Sequence, residues 1–380
     1  MRVRSHTSLR QTFAVMALAA ACGGGSTPVD VTPVPRDGAT YVPQGDWRVA
    51  EPEQVGIDAS AIARLTRHLA SNEIRGLSSL LIVREGYLVT ERYFNGSSRD
   101  DVHTMQSVSK SVTSLVTGIA VDHGRVDPEA RVFTILPAYG DLAASDTRKQ
   151  SVTLRHLLEM RAGINFYEQP YSGSPLEQLN NSRDDWVRIA LQPAMNAAPG
   201  DRWQYNSGGV IVLAAAVQRL TGTPFDEFAR THLFRPIGIT SERWYRSPFD
   251  GLPHTGGGLS LRAVDLARIG YLVLREGRWG QANVVSRAWL DASLTPASSG
   301  VAGFGGRRAD YGRLWWLYQL DANAPFSWQN AVFTAIGNLN QWLFVVPRLD
   351  LVVVVTGASN ESSPASFFFS DILPAVRPLD

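Results

Sequence analysis

The chain has 380 residues, 44% of them hydrophobic and 19% charged, enough to bury a substantial core as one large domain or two interleaved ones. Its 36 basic and 35 acidic residues leave a formal charge of +1 with no long single-sign run. That balance excludes the basic footprint nucleic acid requires, so no nucleic-acid partner is expected.

The chain opens with positive charge at Arg2, Arg4 and Arg10, followed by the short apolar run Thr12 to Ala21. Such a pattern reads as an export signal and is too short to span a bilayer. The only cysteine, Cys22, closes this run between three alanines and three glycines. Its placement resembles a bacterial lipoprotein signal and predicts a periplasmic protein lipidated on Cys22, with that lipid as its only link to a membrane. Leu18 stands one position earlier than the lipoprotein pattern places its leucine, with Ala19 in its stead, so cleavage near Ala21 is the alternative. A mature chain without further cysteine has neither disulfides nor thiolate metal sites.

Residues 23 to about 45 are rich in Gly, Pro, Ser and Thr and read as a flexible linker, which leaves 46–380 as the folded domain. There Asp58 N-caps a helix to Ala70 whose Ile62, Leu65 and Leu69 share one face. Two strand patterns, Leu77–Val83 and Tyr87–Phe94, meet at a Glu85-Gly86 hairpin. Helical patterns follow at Val108–His123, Val152–Met160, Arg183–Ala190 and Val210–Thr221, with loop chemistry from Gly163 to Gly200. Strands return at Val332–Ala335, Gln341–Val346 and Leu351–Val355, ahead of an amphipathic tail at Ala365–Leu373. Strands at both ends with helices between predict a sheet completed by the C-terminal segment and a helical insertion over roughly 120–255. The cleft between sheet and insertion is the natural place for a site.

Only Lys110 and Lys149 are lysines, against 34 arginines, so this chain uses arginine wherever it merely needs charge. Arginine keeps its proton in proteins, whereas a desolvated lysine can serve as a base. Lys110 follows Ser107 by three residues, and that spacing puts both side chains on one helix face. A serine hydroxyl needs such a base to become a nucleophile, and a helix start offers N–H groups to an oxyanion. With 32 serines and two lysines, chance alone produces a Ser-x-x-Lys in about one chain in six.

The surrounding blocks decide. Met105 to Gly163, Pro199-Gly200-Asp201-Arg202-Trp203-Gln204-Tyr205-Asn206-Ser207, Gly256-Gly257-Gly258-Leu259 with Asp265 to Arg268, and Pro347 to Val352 occur in order. Together they closely resemble the serine beta-lactamase and penicillin-binding-protein-like superfamily, above all its class C and esterase branch. The resemblance spans nearly the whole mature chain. It implies an α/β fold in which an antiparallel sheet is sandwiched by helices and carries an inserted all-helical subdomain. It also implies Ser107 as acylated nucleophile, Lys110 as its base and Tyr205 as the catalytic tyrosine. An adjacent ammonium would favour the Tyr205 phenolate and let it shuttle the proton.

Two departures bear on substrate. The family's Tyr-x-Asn is Tyr205-Asn206-Ser207 here, which puts Ser207 where an amide would meet the substrate. Its Lys-Thr-Gly or His-Thr-Gly triplet is Ala335-Ile336-Gly337, so Gly337 remains for close backbone approach and the Asn338 N–H joins that of Ser107 in the implied oxyanion hole. Without a cation or hydroxyl at 335 and 336, nothing there holds a beta-lactam carboxylate. The family's His-Thr-Ser-Gly turn is Met160-Arg161-Ala162-Gly163, which resembles the branch of 6-aminohexanoate-dimer hydrolases and carboxylesterases.

Tyr167, Glu168, Tyr171, Asp185 and Trp186 in the 163–200 loop are candidates to wall the cleft and bind a polar or amino-terminated acyl chain, with packing of a long loop as the other reading. His254 reads as structural. His68, His103, His123, His156 and His232 show no metal-ligand spacing, so neither metal nor cofactor is expected. These residues predict a serine hydrolase acting on a small-molecule ester or amide, carboxylesterase-like or nylon-oligomer-hydrolase-like. A beta-lactamase or D,D-peptidase and a non-catalytic cell-wall-binding lipoprotein are the alternatives.

Overall fold

A computed structural model describes residues 34–35, 37, 40–71, 76–304 and 307–379. The expected export signal, Cys22 and the first part of the expected linker lie outside the described residues. Strands run at Arg48–Val49 (β1), Leu77–Arg84 (β2), Tyr87–Tyr93 (β3), Val102–Thr104 (β4), Arg243–Trp244 (β5), Leu259–Arg262 (β6), Arg278–Trp279 (β7) and Ala282–Asn283 (β8). The later ones are Ser298–Phe304 (β9), Arg307–Tyr311 (β10), Trp316–Gln319 (β11), Ala331–Gly337 (β12), Gln341–Val346 (β13) and Leu351–Gly357 (β14).

The main sheet has nine strands in the order β1-β3-β2-β14-β13-β12-β11-β10-β9, antiparallel throughout except where β1 lies parallel to β3. As expected, the C-terminal strand completes the sheet: β14 pairs with β2, placing Leu351 opposite Arg84 and Val355 opposite Leu80. Both strands are buried along their whole length, which explains their near-continuous apolar sequence. Alternation along β13 shows what covers each face. Leu343 meets the Ala263–Leu274 helix so closely that a Cβ on Gly270 would sit 2.6 Å from it. Its neighbour Phe344 stacks on Phe368 of the C-terminal helical segment, with ring centroids 3.9 Å apart. Helices therefore sandwich an antiparallel sheet.

Several elements differ from the sequence reading. The sequence reading places no element at β9 to β11, and GVAGFGGRRADYG over residues 300–312 offers little alternation to reveal β9 and β10. The Pro175–Asn181 helix, N-capped by Ser174, lies inside what read as loop. The insertion is not all-helical either: β5 joins β4 and β6 in a small sheet. The helix expected from Val210 begins at Ser207, where the Asn206 side chain accepts from the Gly209 N–H. Gly208 looks like a loop residue in sequence, yet a Cβ there would meet Phe166 at 2.6 Å and Ala190 at 2.9 Å, so it is a packing glycine.

Candidate active site

The Val108–Asp122 helix is buried over almost its full length, which fixes its first turn firmly. Ser107 stands at its start with helical φ and ψ and does not cap the helix with its side chain, so the hydroxyl is free for other work. The preceding Gln106 has φ +48°, a left-handed conformation unfavourable for a non-glycine residue and therefore imposed by its surroundings. Ser109 holds it there: its hydroxyl donates to the Gln106 carbonyl at 2.6 Å and accepts from the Leu259 N–H of β6 at 3.1 Å.

Lys110 meets Ser107 as the spacing predicts. Its Nζ lies 2.8 Å from Ser107 Oγ and also donates to the Gly256 carbonyl. Gly256 can approach because a Cβ there would strike Ser207 at 2.9 Å. Lys110 is 1% exposed. Burial pulls its pKa down to about 8, with the Glu168 carboxylate opposing the shift. About a tenth is therefore neutral, and able to accept a proton, at pH 7, rising to about half at pH 8.

Tyr205 joins the pair. The Lys110 Nζ sits 4.7 Å from its ring centroid, and Tyr205 lines the same cavity as Ser107. Burial, and then the charge of Glu168, push the Tyr205 pKa up, while Ser107 pulls the other way. This corrects the expectation of a phenolate: the surroundings keep Tyr205 protonated.

Gly337 ends β12 against the nucleophile. A Cβ on it would fall 2.4 Å from the Met105 carbonyl and 3.0 Å from the Ser107 nitrogen, so only glycine lets the strand close on the helix start. Asn338 follows at the mouth of the turn into β13 and lines the same cavity as Ser107.

That cavity is about 650 Å³. Tyr167 and Glu168 line it, with the Glu168 carboxylate accepting from the Ser207 N–H at the start of the Ser207–Thr221 helix. Ser207 itself is buried and is absent from the cavity wall, so it supplies a backbone donor to Glu168 in place of a side-chain contact. Trp186 is also placed differently from expectation. Asp185 N-caps the Trp186–Leu191 helix, which turns Trp186 inward to pack edge-on against His254, with ring centroids 5.2 Å apart. Tyr171 is half-exposed away from the wall. His254 is a buried packing residue: its Nε2 lies 3.2 Å from Asn180 Oδ1, and burial followed by the Lys110 charge lowers its pKa to about 4.

The remaining walls were not singled out in the sequence. Trp203, Phe304, Trp316 and Trp342 supply aromatic surface, and Asn340, Asn360, Ser362 and Ser363 supply neutral polar groups. Ten tryptophans in 380 residues were the available sign, but their convergence depends on which strands pair.

A buried lysine on the hydroxyl of a helix-start serine, a phenol beside both and a wide cavity over them accord with a serine hydrolase. The chain belongs to the Beta-lactamase family, which matches over residues 62–371. It is 29% identical to a 6-aminohexanoate-dimer hydrolase of Paenarthrobacter ureafaciens over 291 residues, covering 73% of this chain and 71% of that protein. Among solved structures it resembles a candidate 6-aminohexanoate-dimer hydrolase from Bacillus anthracis, with a TM-score of 0.67 at 20% identity, covering 87% of this chain and 86% of that one. A family VIII carboxylesterase superposes with a TM-score of 0.63 at 16% identity, covering 87% of this chain and 99% of its own.

Proposed function

We propose that the protein cleaves an ester or amide bond in two steps through an acyl-enzyme on Ser107, as a carboxylesterase or a hydrolase of the nylon-oligomer kind. The observation that carries this reading is Lys110 Nζ at 2.8 Å from Ser107 Oγ with a pKa drawn down to about 8. Neutral Lys110 takes the hydroxyl proton as Ser107 Oγ bonds to the substrate carbonyl carbon. The oxyanion rests on the N–H groups of Ser107 and Asn338, the second brought close by Gly337. Tyr205 protonates the departing alkoxide or amine and regains a proton from the Lys110 ammonium. Neutral Lys110 then takes a proton from water as the water oxygen bonds to the acyl carbon, and gives it to Ser107 Oγ as the ester bond breaks and the acid is released.

Among the described residues lining the cavity, Glu168 alone carries a formal charge, and it is negative. The wall therefore favours a neutral or amino-bearing substrate over one with a carboxylate. A beta-lactam presents a carboxylate and finds no cation to hold it. Turnover of short p-nitrophenyl esters should exceed nitrocefin turnover by about 100-fold or more in kcat/KM, since a charged group left unpaired costs several kcal/mol. Efficient nitrocefin hydrolysis with negligible ester hydrolysis would overturn the assignment.

A further inference from the structure

We propose that the physiological substrate carries a flat aromatic group that lies along the Trp316–Phe304–Trp342 wall, and carries no carboxylate beside it. This rests on the serine-hydrolase reading of Ser107 and names the substrate class of that same site. Starting at Tyr205, the rings form an ordered track away from the nucleophile. Trp316 stacks on Tyr205 with centroids 5.8 Å apart and planes at 23°. Phe304 stands edge-on to Trp316 at 5.2 Å and 84°, and Trp342 stands edge-on to Phe304 at 5.7 Å and 87°. All three border the cavity that contains Ser107.

The track is held from behind. Trp316 packs against Tyr311 at 4.8 Å, and Trp342 stacks on Phe344 at 5.3 Å, which stacks in turn on Phe368. Trp316 and Trp342 are 6% and 5% exposed, so little of each ring is free and that part faces the cavity with no freedom left to lose on binding. Because successive planes are nearly perpendicular, the wall offers a ring face beside a ring edge. An aromatic guest matches both by offset stacking and edge-to-face contact, whereas an alicyclic or alkyl guest of equal size gains only the apolar area. Each aromatic pair adds about two- to tenfold in affinity over that area. Among the described residues of the wall Glu168 alone is charged, and a substrate carboxylate would meet it with no cation in compensation.

The experiment uses pairs of esters matched in ring size and leaving-group chemistry: 2-naphthylmethyl acetate against decahydronaphthalen-2-ylmethyl acetate, and ethyl 2-naphthylacetate against ethyl decahydronaphthalen-2-ylacetate. In at least one pair the aryl member should have about tenfold higher kcat/KM, expressed in KM, and a ring carboxylate on that member should remove the advantage. In Phe304→Leu and Trp342→Leu the aryl-to-alicyclic ratio should fall toward one. Labelling of Ser107 by a fluorophosphonate in each variant shows that the site is assembled. Equal kcat/KM within both pairs in the wild type, or an unchanged ratio in both labelled variants, overturns the proposal. Failure of the wild type to label at all would instead remove the Ser107 reading beneath it, which keeps the two failures apart.

Discussion

Replacing Lys110 by methionine should lower kcat/KM for a short-chain ester by about 100- to 10,000-fold, the range over which a positioned general base acts. Methionine fills similar space in a site where the native side chain is 1% exposed, so the fold is expected to persist. Lys110→Arg should be equally inactive, because a guanidinium keeps the charge and cannot give up its proton. That pair of variants separates a base from a mere cation. Wild-type activity should carry the same signature in its pH dependence. The competent form is the neutral amine, so kcat/KM should rise with pH and level off above about 8. Steady-state rates from about pH 6 to 10 check this, and a profile flat through that range contradicts Lys110 as the base.

Tyr205→Phe should cost about 100-fold or more in kcat for esters of simple alcohols, and much less for p-nitrophenyl esters. The reason is chemical: an alkoxide must be protonated as it leaves, whereas p-nitrophenolate departs unaided. Phenylalanine keeps the stacking on Trp316 and the place beside the Lys110 ammonium, so the variant removes little besides the O–H. Surroundings that raise the phenol pKa make Tyr205 a donor throughout the working range. An equal loss on both ester classes would assign it to binding or to activation of Ser107.

The residues of the Ser107–Lys110–Tyr205 cluster were legible in sequence because they sit in short local patterns. Ser107 and Lys110 share one helical turn, Lys110 stood out in a chain that prefers arginine, and Tyr205 came with its own block. The N-terminal hairpin and the last three strands were legible from alternating or continuous apolar runs, and so was the closure of the sheet by its C-terminal segment. Substrate walls were not. Phe304 and Trp316 lie on β9 and β11, whose Gly-rich surroundings hide their strands, and they reach Trp342 only through the pairing of five strands. Trp186 was misplaced for a related reason. The helical pattern over 183–190 does not say which side is buried, and only the start at the Asp185 cap turns Trp186 into the core. The state of Tyr205 was also beyond sequence, since its pKa depends on how completely the pocket excludes water and on a carboxylate 37 positions earlier, at Glu168.

The central claim, that Ser107 is acylated with the help of Lys110, is tested most directly by intact-mass and peptide-level mass spectrometry of enzyme quenched in acid during ester turnover. Wild type should gain the mass of the acyl group on the peptide containing Ser107. Ser107→Ala should gain none, and Lys110→Met should acylate orders of magnitude more slowly. Turnover in Ser107→Ala at the wild-type rate, or an acyl group on any other residue, would contradict it.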